Sequence, residues 1–235
     1  YSPEQFEDNG YDIPSTMEEL IALSDQMVED GNTPWCIGVE SGNATGWTAT
    51  DWMEDLMLRT TSPENYDRWV SNDLPFNSPE VLNAMEVYGQ FSRNDDYVAG
   101  GASSVATTFF GDAPKGLFSS PASCLMHRQA SFIPAFFPKK GEEVANGEAD
   151  FFYFPPYASK ELGNPVLGAG TLWTMTKDSP ATRAFFNFMS EASAHEAWMS
   201  QGTFLTAHKA ADLSAYATPA SVSYTHLTLP TKLAV

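Results

Sequence analysis

The sequence predicts an α/β fold with a mostly parallel or mixed sheet. Two kinds of segment predict it, together with their alternation. Short apolar runs of strand length stand at residues 35–39, 124–127, 151–154 and 172–176. Runs this short and this apolar suit strands buried on both faces. Between them lie amphipathic stretches opened by helix caps, and strands alternating with helices give an α/β layer architecture.

Taken in order, Thr16 and Glu19 form a capping box ahead of Met17, Leu20, Ile21, Met27 and Val28, and Gly31 is a stop. The run at 35–39 passes into a polar loop, GVESGNATGW, carrying Trp47. A helix follows from Asp51 to Arg59, with Trp52, Met53, Leu56 and Met57 on one side. Ser78–Pro79 opens a helix through Val81, Met85, Tyr88 and Phe91. Ser179–Pro180 opens another with Phe185, Phe186 and Met189, and Ser193 with Glu196 caps a last one containing Trp198. Residues 154–163, with Pro155 and Pro156 and no periodicity, read as a crossing between two lobes.

Composition narrows the function classes. A chain of 235 residues makes one large domain or two small ones. At 43% hydrophobic and 18% charged, it can build a packed core. Twelve Lys and Arg against 30 Asp and Glu give a net charge of −18. That field repels phosphate backbones and anionic lipid, so nucleic acid is not an expected partner and a soluble monomer is. No apolar run approaches the roughly 20 residues that span a bilayer. The chain starts at Tyr1 rather than Met, so an N-terminal part with any export signal is expected upstream. Residues 221–235, SVSYTHLTLPTKLAV, carry no acidic residue and no helical period, and read as a tail unrelated to the preceding domain.

Cys36 and Cys124 belong to no CxxC pair, which argues against a zinc or redox motif. Two buried thiols fit a cytosolic protein, and one disulfide fits an exported one.

Four segments could meet a ligand. In residues 40–51, which hold Glu40, Gly46, Trp47 and Asp51, the Trp, Asp, Thr and Asn side chains combine an indole face with carboxylate and amide groups, a set that suits sugar C–H surfaces and hydroxyls. The plainer reading is a surface loop with a buried Trp. Gly100–Gly101–Ala102–Ser103 offers backbone N–H groups, or simply a turn. His127 through Phe132 sets Arg128, Gln129 and Phe132 at the end of an apolar run, able to bind hydroxyls and stack on a ring. Arg128 alone could equally be a salt bridge. His127 has no second His or Cys at a metal-ligand spacing, so no metal site is expected. Residues 168–173, GAGTLW, let backbone approach a ligand at Gly170 and Thr171, while Trp173 suits the core.

For catalysis there is no GxSxG, HExxH or P-loop. Asp51, Glu54 and Asp55 cluster on a helix, but carboxylates in so acidic a chain are mostly solvated faces.

Taken together, TPWCIGVESGNATGWTATDWMEDLMLR, YDRWVSNDLPFNSPEV, YVAGG, CLMHRQASF, DFFYFPP and GAGTLW resemble the extracellular solute-binding proteins of ABC importers. More narrowly, they are similar to the α-glucoside-binding branch, related to maltose- and trehalose-binding proteins, from Tyr1 to about Pro219. The resemblance implies a periplasmic-binding-protein-like type II fold with one lobe largely complete and the other partial. Residues 1–157 would form the C-terminal lobe. Residues 158–205 would be the hinge crossing and the returning segment of the N-terminal lobe. Residues 206–220 would pack at the C-terminus, ahead of a non-native tail at 221–235.

It further implies a periplasmic or extracellular protein, lipid-anchored in some cases through its N-terminus, whose partners are a neutral sugar and the permease subunits of the membrane. No cofactor and no catalysis are expected. Cys36 and Cys124 would be bridged in such a protein. Glu40, Gly46, Trp47, Asp51, Arg128, Gln129, Phe132, Gly170 and Thr171 would bind the sugar, with Trp47 and Phe132 stacking on rings and Asp51, Arg128 and Gln129 bonding hydroxyls. Gly170 and Thr171 would close the cleft from the other lobe. Two other classes compete: a glycoside hydrolase using Asp51 and Glu40, and a binder of another solute such as a polyamine, against which Arg128 argues.

Overall fold

Helix starts follow their caps. The computed structural model describes residues 1–202 and 204–218. Its helices are α1 (Pro3–Asn9), α2 (Met17–Glu29), α3 (Trp47–Thr60), α4 (Pro63–Val70), α5 (Pro79–Ser92), α6 (Glu142–Ala145), α7 (Pro180–Met189) and α8 (Ala192–Met199). The capping box ahead of α2 is complete: Glu19 N–H donates to Thr16 Oγ1 at 3.1 Å, and the Glu19 carboxylate accepts from Thr16 N–H at 3.2 Å. Ser62, Ser78 and Ser179 each accept from a backbone N–H three residues on, and each is followed by proline. This meets two needs at once, because proline's missing N–H is one the first turn cannot use.

Two helix starts differ from expectation. The helix expected from Asp51 begins at Trp47, so Trp47 is a helical residue and not a loop residue. Gly46, at φ 101°, makes the turn, and its carbonyl accepts from Ala49 and Thr50. The last helix is not capped by Ser193: Glu191 holds the extended backbone a cap requires, which leaves Ser193 inside the first turn.

The sheet is reduced to backbone pairing around residues 34–40. Trp35 bridges in parallel to Val98 on one side and Met126 on the other, and Glu40 bridges to Phe109. The apolar runs at 35–39 and 124–127 are therefore neighbours, as the α/β reading requires. The runs at 151–154 and 172–176 are not strands among the described residues. Near the first of these, the carbonyls of Phe154 and Pro155 are taken by the Arg59 side chain. The second is open to solvent, with Leu172 90% exposed.

Alternation along 35–39 divides the interior. Trp35, Ile37 and Val39 enter the main core with Leu20 and Met27 of α2, Trp52, Leu56 and Met57 of α3, and Val81 and Phe91 of α5. Trp35 is its centre, edge-on to Trp52 at 5.6 Å and Phe91 at 5.3 Å, with Nε1–H donating to Ser24 Oγ at 3.0 Å. On the opposite face Cys36 is bonded to Cys124 across 88 residues and packs with Leu117. The expectation for an exported chain is what the structure has. Gly116 permits the bridge, since a Cβ there would lie 2.3 Å from Cys124 Sγ.

Residues 206–218 pack on α8: Thr206 N–H donates to Tyr216 Oη at 2.9 Å, and Thr206 Oγ1 meets His195 Nδ1 at 2.8 Å. Residues 221–235, expected to be a foreign tail, lie outside the described residues. Among the described residues no helix is long and apolar enough to cross a membrane.

Candidate functional site

The first turns of α3 carry an aromatic wall. Trp47 is half-buried and meets Phe110 edge-on at 5.1 Å and Phe132 at 5.9 Å. Phe110 also touches Phe109 at 4.6 Å and Phe136 at 5.0 Å, so it is the hub. All five rings keep part of their surface in solvent. The backbone explains how they meet. Glu40 N–H donates to Thr108 O and Phe110 N–H donates to Glu40 O, both at 3.0 Å, which fixes 108–110 beside the start of α3. Gly111 leaves room for the rings, because a Cβ there would sit 2.3 Å from the Phe136 ring and 2.8 Å from that of Phe109.

One helical turn further, the polar groups gather. Arg128 Nη2–H donates to Asp51 O at 3.0 Å and pairs with Asp55 Oδ2. Its guanidinium lies 5.6 Å from the Trp52 ring and 5.9 Å from that of Phe154. Among the described residues both of its hydrogen bonds run through Nη2, which leaves Nε and Nη1 to donate elsewhere. Burial raises the pKa of Asp51, against the opposing pull of Arg128. Burial likewise raises Glu54, with repulsion from Asp51 adding to it. The result is a half-buried set of carboxylates and one guanidinium at the edge of an aromatic surface. Such a set can exchange water for sugar hydroxyls while rings cover the C–H faces.

The other expected residues divide. Gly46 caps α3 directly beneath Trp47. The Glu40 carboxylate accepts from Gly42 N–H at 2.6 Å, and the Gln129 amide oxygen accepts from Ala130 N–H at 2.9 Å, so both are partly engaged locally. Gly170 and Thr171 are exposed and joined to the wall by no described contact; a Cβ at Gly170 would meet nothing within 4 Å. The Gly100–Gly101 pair makes a turn, at φ 80° and 78°, and the N–H of Ala102 goes to Asp95 Oδ1 at 2.9 Å. His127 is structural: Nδ1–H donates to Cys36 O at 2.7 Å. Burial pushes its pKa down to about 4, against the support of that carbonyl, and Arg128 pushes the same way as burial.

The bacterial extracellular solute-binding protein family matches residues 1–196. The chain belongs to that family. A relative named alpha-glucosides-binding periplasmic protein AglE, from Rhizobium meliloti (strain 1021), is 59% identical over 220 residues, 93% of this chain and 48% of its own length. The osmoprotective compounds-binding protein GgtB of Synechocystis sp. (strain ATCC 27184 / PCC 6803 / Kazusa) is 43% identical over 216 residues, 92% of this chain and 50% of its own length. The chain thus spans about half the length of these curated relatives. Two solved structures share the fold, each with a TM-score of 0.73. The solute receptor AcbH, described as exclusive for b-D-galactopyranose, is 20% identical, and the match covers 96% of this chain and 55% of that one. A chitin oligosaccharide binding protein is 18% identical, with coverage of 97% and 55%. The fold class expected from the sequence is the one these neighbours have.

Within this solute-binding chain, sequence reasoning missed Phe109, Phe110 and Phe136 of the wall, and Asp55 and Arg59 behind it. Signals for them exist. Phe109–Phe110–Gly111 places two rings before a glycine, and Phe136 is one turn from Phe132. Trp52, Asp55, Leu56 and Arg59 share one helical stripe, so Asp55 and Arg59 enter the core side with apolar neighbours.

Proposed function

We propose that this protein is the extracytoplasmic, periplasmic or extracellular, sugar-binding component of an ABC importer. It takes a neutral α-glucoside such as maltose, trehalose or sucrose in a cleft and delivers it to the membrane permease as a monomer. The observation that carries the reading is the part-exposed wall of Trp47, Phe110, Phe132 and Phe136 beside Arg128 and Asp51. The relative named for α-glucosides, at 59% identity, supports the sugar class.

Trp47 and Phe132 stack on rings. Asp51, Gln129 and the free donors of Arg128 bond hydroxyls, each charge-assisted bond contributing about 1.5 to 3 kcal/mol. Glu40 and Gly46 hold the wall in place, and Gly170 and Thr171 close the cleft from the second lobe. Closure is a hinge motion stabilised by contacts made only in the closed state. Nothing in this action needs a covalent intermediate or a cofactor.

Calorimetry on the full-length protein with maltose, trehalose and sucrose tests the reading. Trp47→Ala should weaken the bound sugar by about 10- to 100-fold, the loss of one stacked ring. An unchanged affinity would remove the stacking role. Incubation with aryl glucosides should release no phenol; turnover would favour a hydrolase instead.

A further inference from the structure

Asp55 and Arg59 sit behind the wall and are used by nothing in the function proposed above. Asp55 is buried and gives one oxygen to each of two guanidiniums: Oδ1 to Arg59 Nη1 at 2.5 Å, and Oδ2 to Arg128 Nη2. Arg59 is buried as well, and its five N–H groups all have acceptors. Nη1 also reaches Asp55 O at 3.2 Å. The other donors leave α3 altogether. Nε donates to Phe154 O and Pro155 O at 3.2 and 3.1 Å, and Nη2 donates to Phe154 O and Pro165 O at 2.5 and 3.3 Å. The acceptors bracket residues 154–165, the proline-bearing connection between the first body of the chain and the segment that carries Gly170. Both guanidiniums lie near the Phe154 ring, Arg59 at 4.8 Å and Arg128 at 5.9 Å. Tyr153 Oη–H adds a further bond to Pro165 O at 2.5 Å.

Among the described residues Asp55 is the carboxylate that pairs with both guanidiniums, so the geometry of each pair depends on the other. A shift of Arg128 moves Asp55, and Asp55 is what orients the Arg59 fork. A planar fork with fixed donor directions passes such a shift to the carbonyls it holds.

We propose that Asp55 and Arg59 are positioning residues that couple Arg128 to the connection 154–165, so that occupancy of the sugar site sets how firmly that connection is held. This rests on the sugar-site reading, and on residues 154–165 being the crossing between lobes.

Hydrogen–deuterium exchange on the full-length protein tests it, with maltose, trehalose or sucrose at saturation, whichever calorimetry finds bound. The readout is the amides of Phe154 and residues 157–164. In the parent, sugar should slow them by about fivefold or more. In Arg59→Lys, which keeps the charge but loses the fork, the slowing should fall below about twofold while sugar still binds. Asp55→Glu is the second variant, with the same expectation, and thermal melting shows that each is folded. Equal slowing in the parent and a folded variant overturns the coupling. So does a parent that binds sugar without slowing these amides, whatever the variants do. A parent that binds none of the three sugars overturns the sugar reading itself, and this inference with it.

Discussion

Residues 1–157 and residues 158–218 start their helices with the same chemistry and end in different surroundings. Thr16 and Ser78 cap α2 and α5 in the first region, and Ser179 caps α7 in the second, each by accepting a backbone N–H. Yet α2 buries Met17, Leu20, Leu23 and Met27, whereas α7 buries none of its residues. Leu172, Trp173 and Phe188 are 90%, 54% and 57% exposed in this chain, which spans about half the length of its curated relatives. Caps are local, so they fix helix ends wherever they stand. Burial needs surfaces supplied from far along the chain, and most helical stability comes from it.

The largest effect that would break this comparison is in the core. In this chain Leu56→Ala should cost about 3 to 5 kcal/mol in urea unfolding, while Leu172→Ala should stay within about 0.5 kcal/mol. Similar costs at both positions would erase the distinction.

Next comes the cross-link. Cys36 and Cys124 enclose a long loop, 88 residues apart, within the first region only. Replacing both by Ser should remove about 2 to 5 kcal/mol, and non-reducing mass spectrometry of the parent should find the two peptides linked.

Acid should act through His127, which lies beside that bridge. Its folded-state pKa is about 4 against an ordinary 6.5, so the unfolded chain binds more protons between those values. The stability it contributes is complete above pH 6.5. That stability is lost as pH falls, by up to about 3 kcal/mol near pH 4. Melting temperatures across this window should fall less steeply in His127→Asn, whose amide can still donate to Cys36 O.

The smallest effects separate the two regions most sharply. Thr16→Ala should cost about 1 kcal/mol of global stability. In this chain Ser179→Ala should instead speed amide exchange within α7 and leave the global midpoint where it was, because α7 buries none of its residues among those described.

How far the sequence could be read follows the same division. Thr16, Ser78 and Ser179 were legible because a cap and the backbone N–H it accepts are three residues apart. The runs at 35–39 and 124–127 were legible as buried segments because both are short and apolar, and the fold adds that they pair. Ser193 misled because it resembles a cap, while the chain's actual turn into α8 falls at Glu191. Residues 151–154 misled because an apolar run does not say who takes its carbonyls, and at Phe154 a side chain from α3 does. In the site, Trp47 meets Phe132 and Arg128 meets Asp51. Phe110 was missed because its place beside Trp47 depends on the Glu40 pairing, and Phe136 was missed although it stands one turn from Phe132, which it meets. Asp55 resembled one more solvated acid in an acidic chain, and only the fold shows it holding two arginines.

Gly111 sets the relief of the ring surface. A side chain there would alter its curvature without deleting a ring. A methyl group there must displace Phe136 or Phe109, since both lie well inside contact distance. A chain that differed at this position alone would present the same five side chains in another relief.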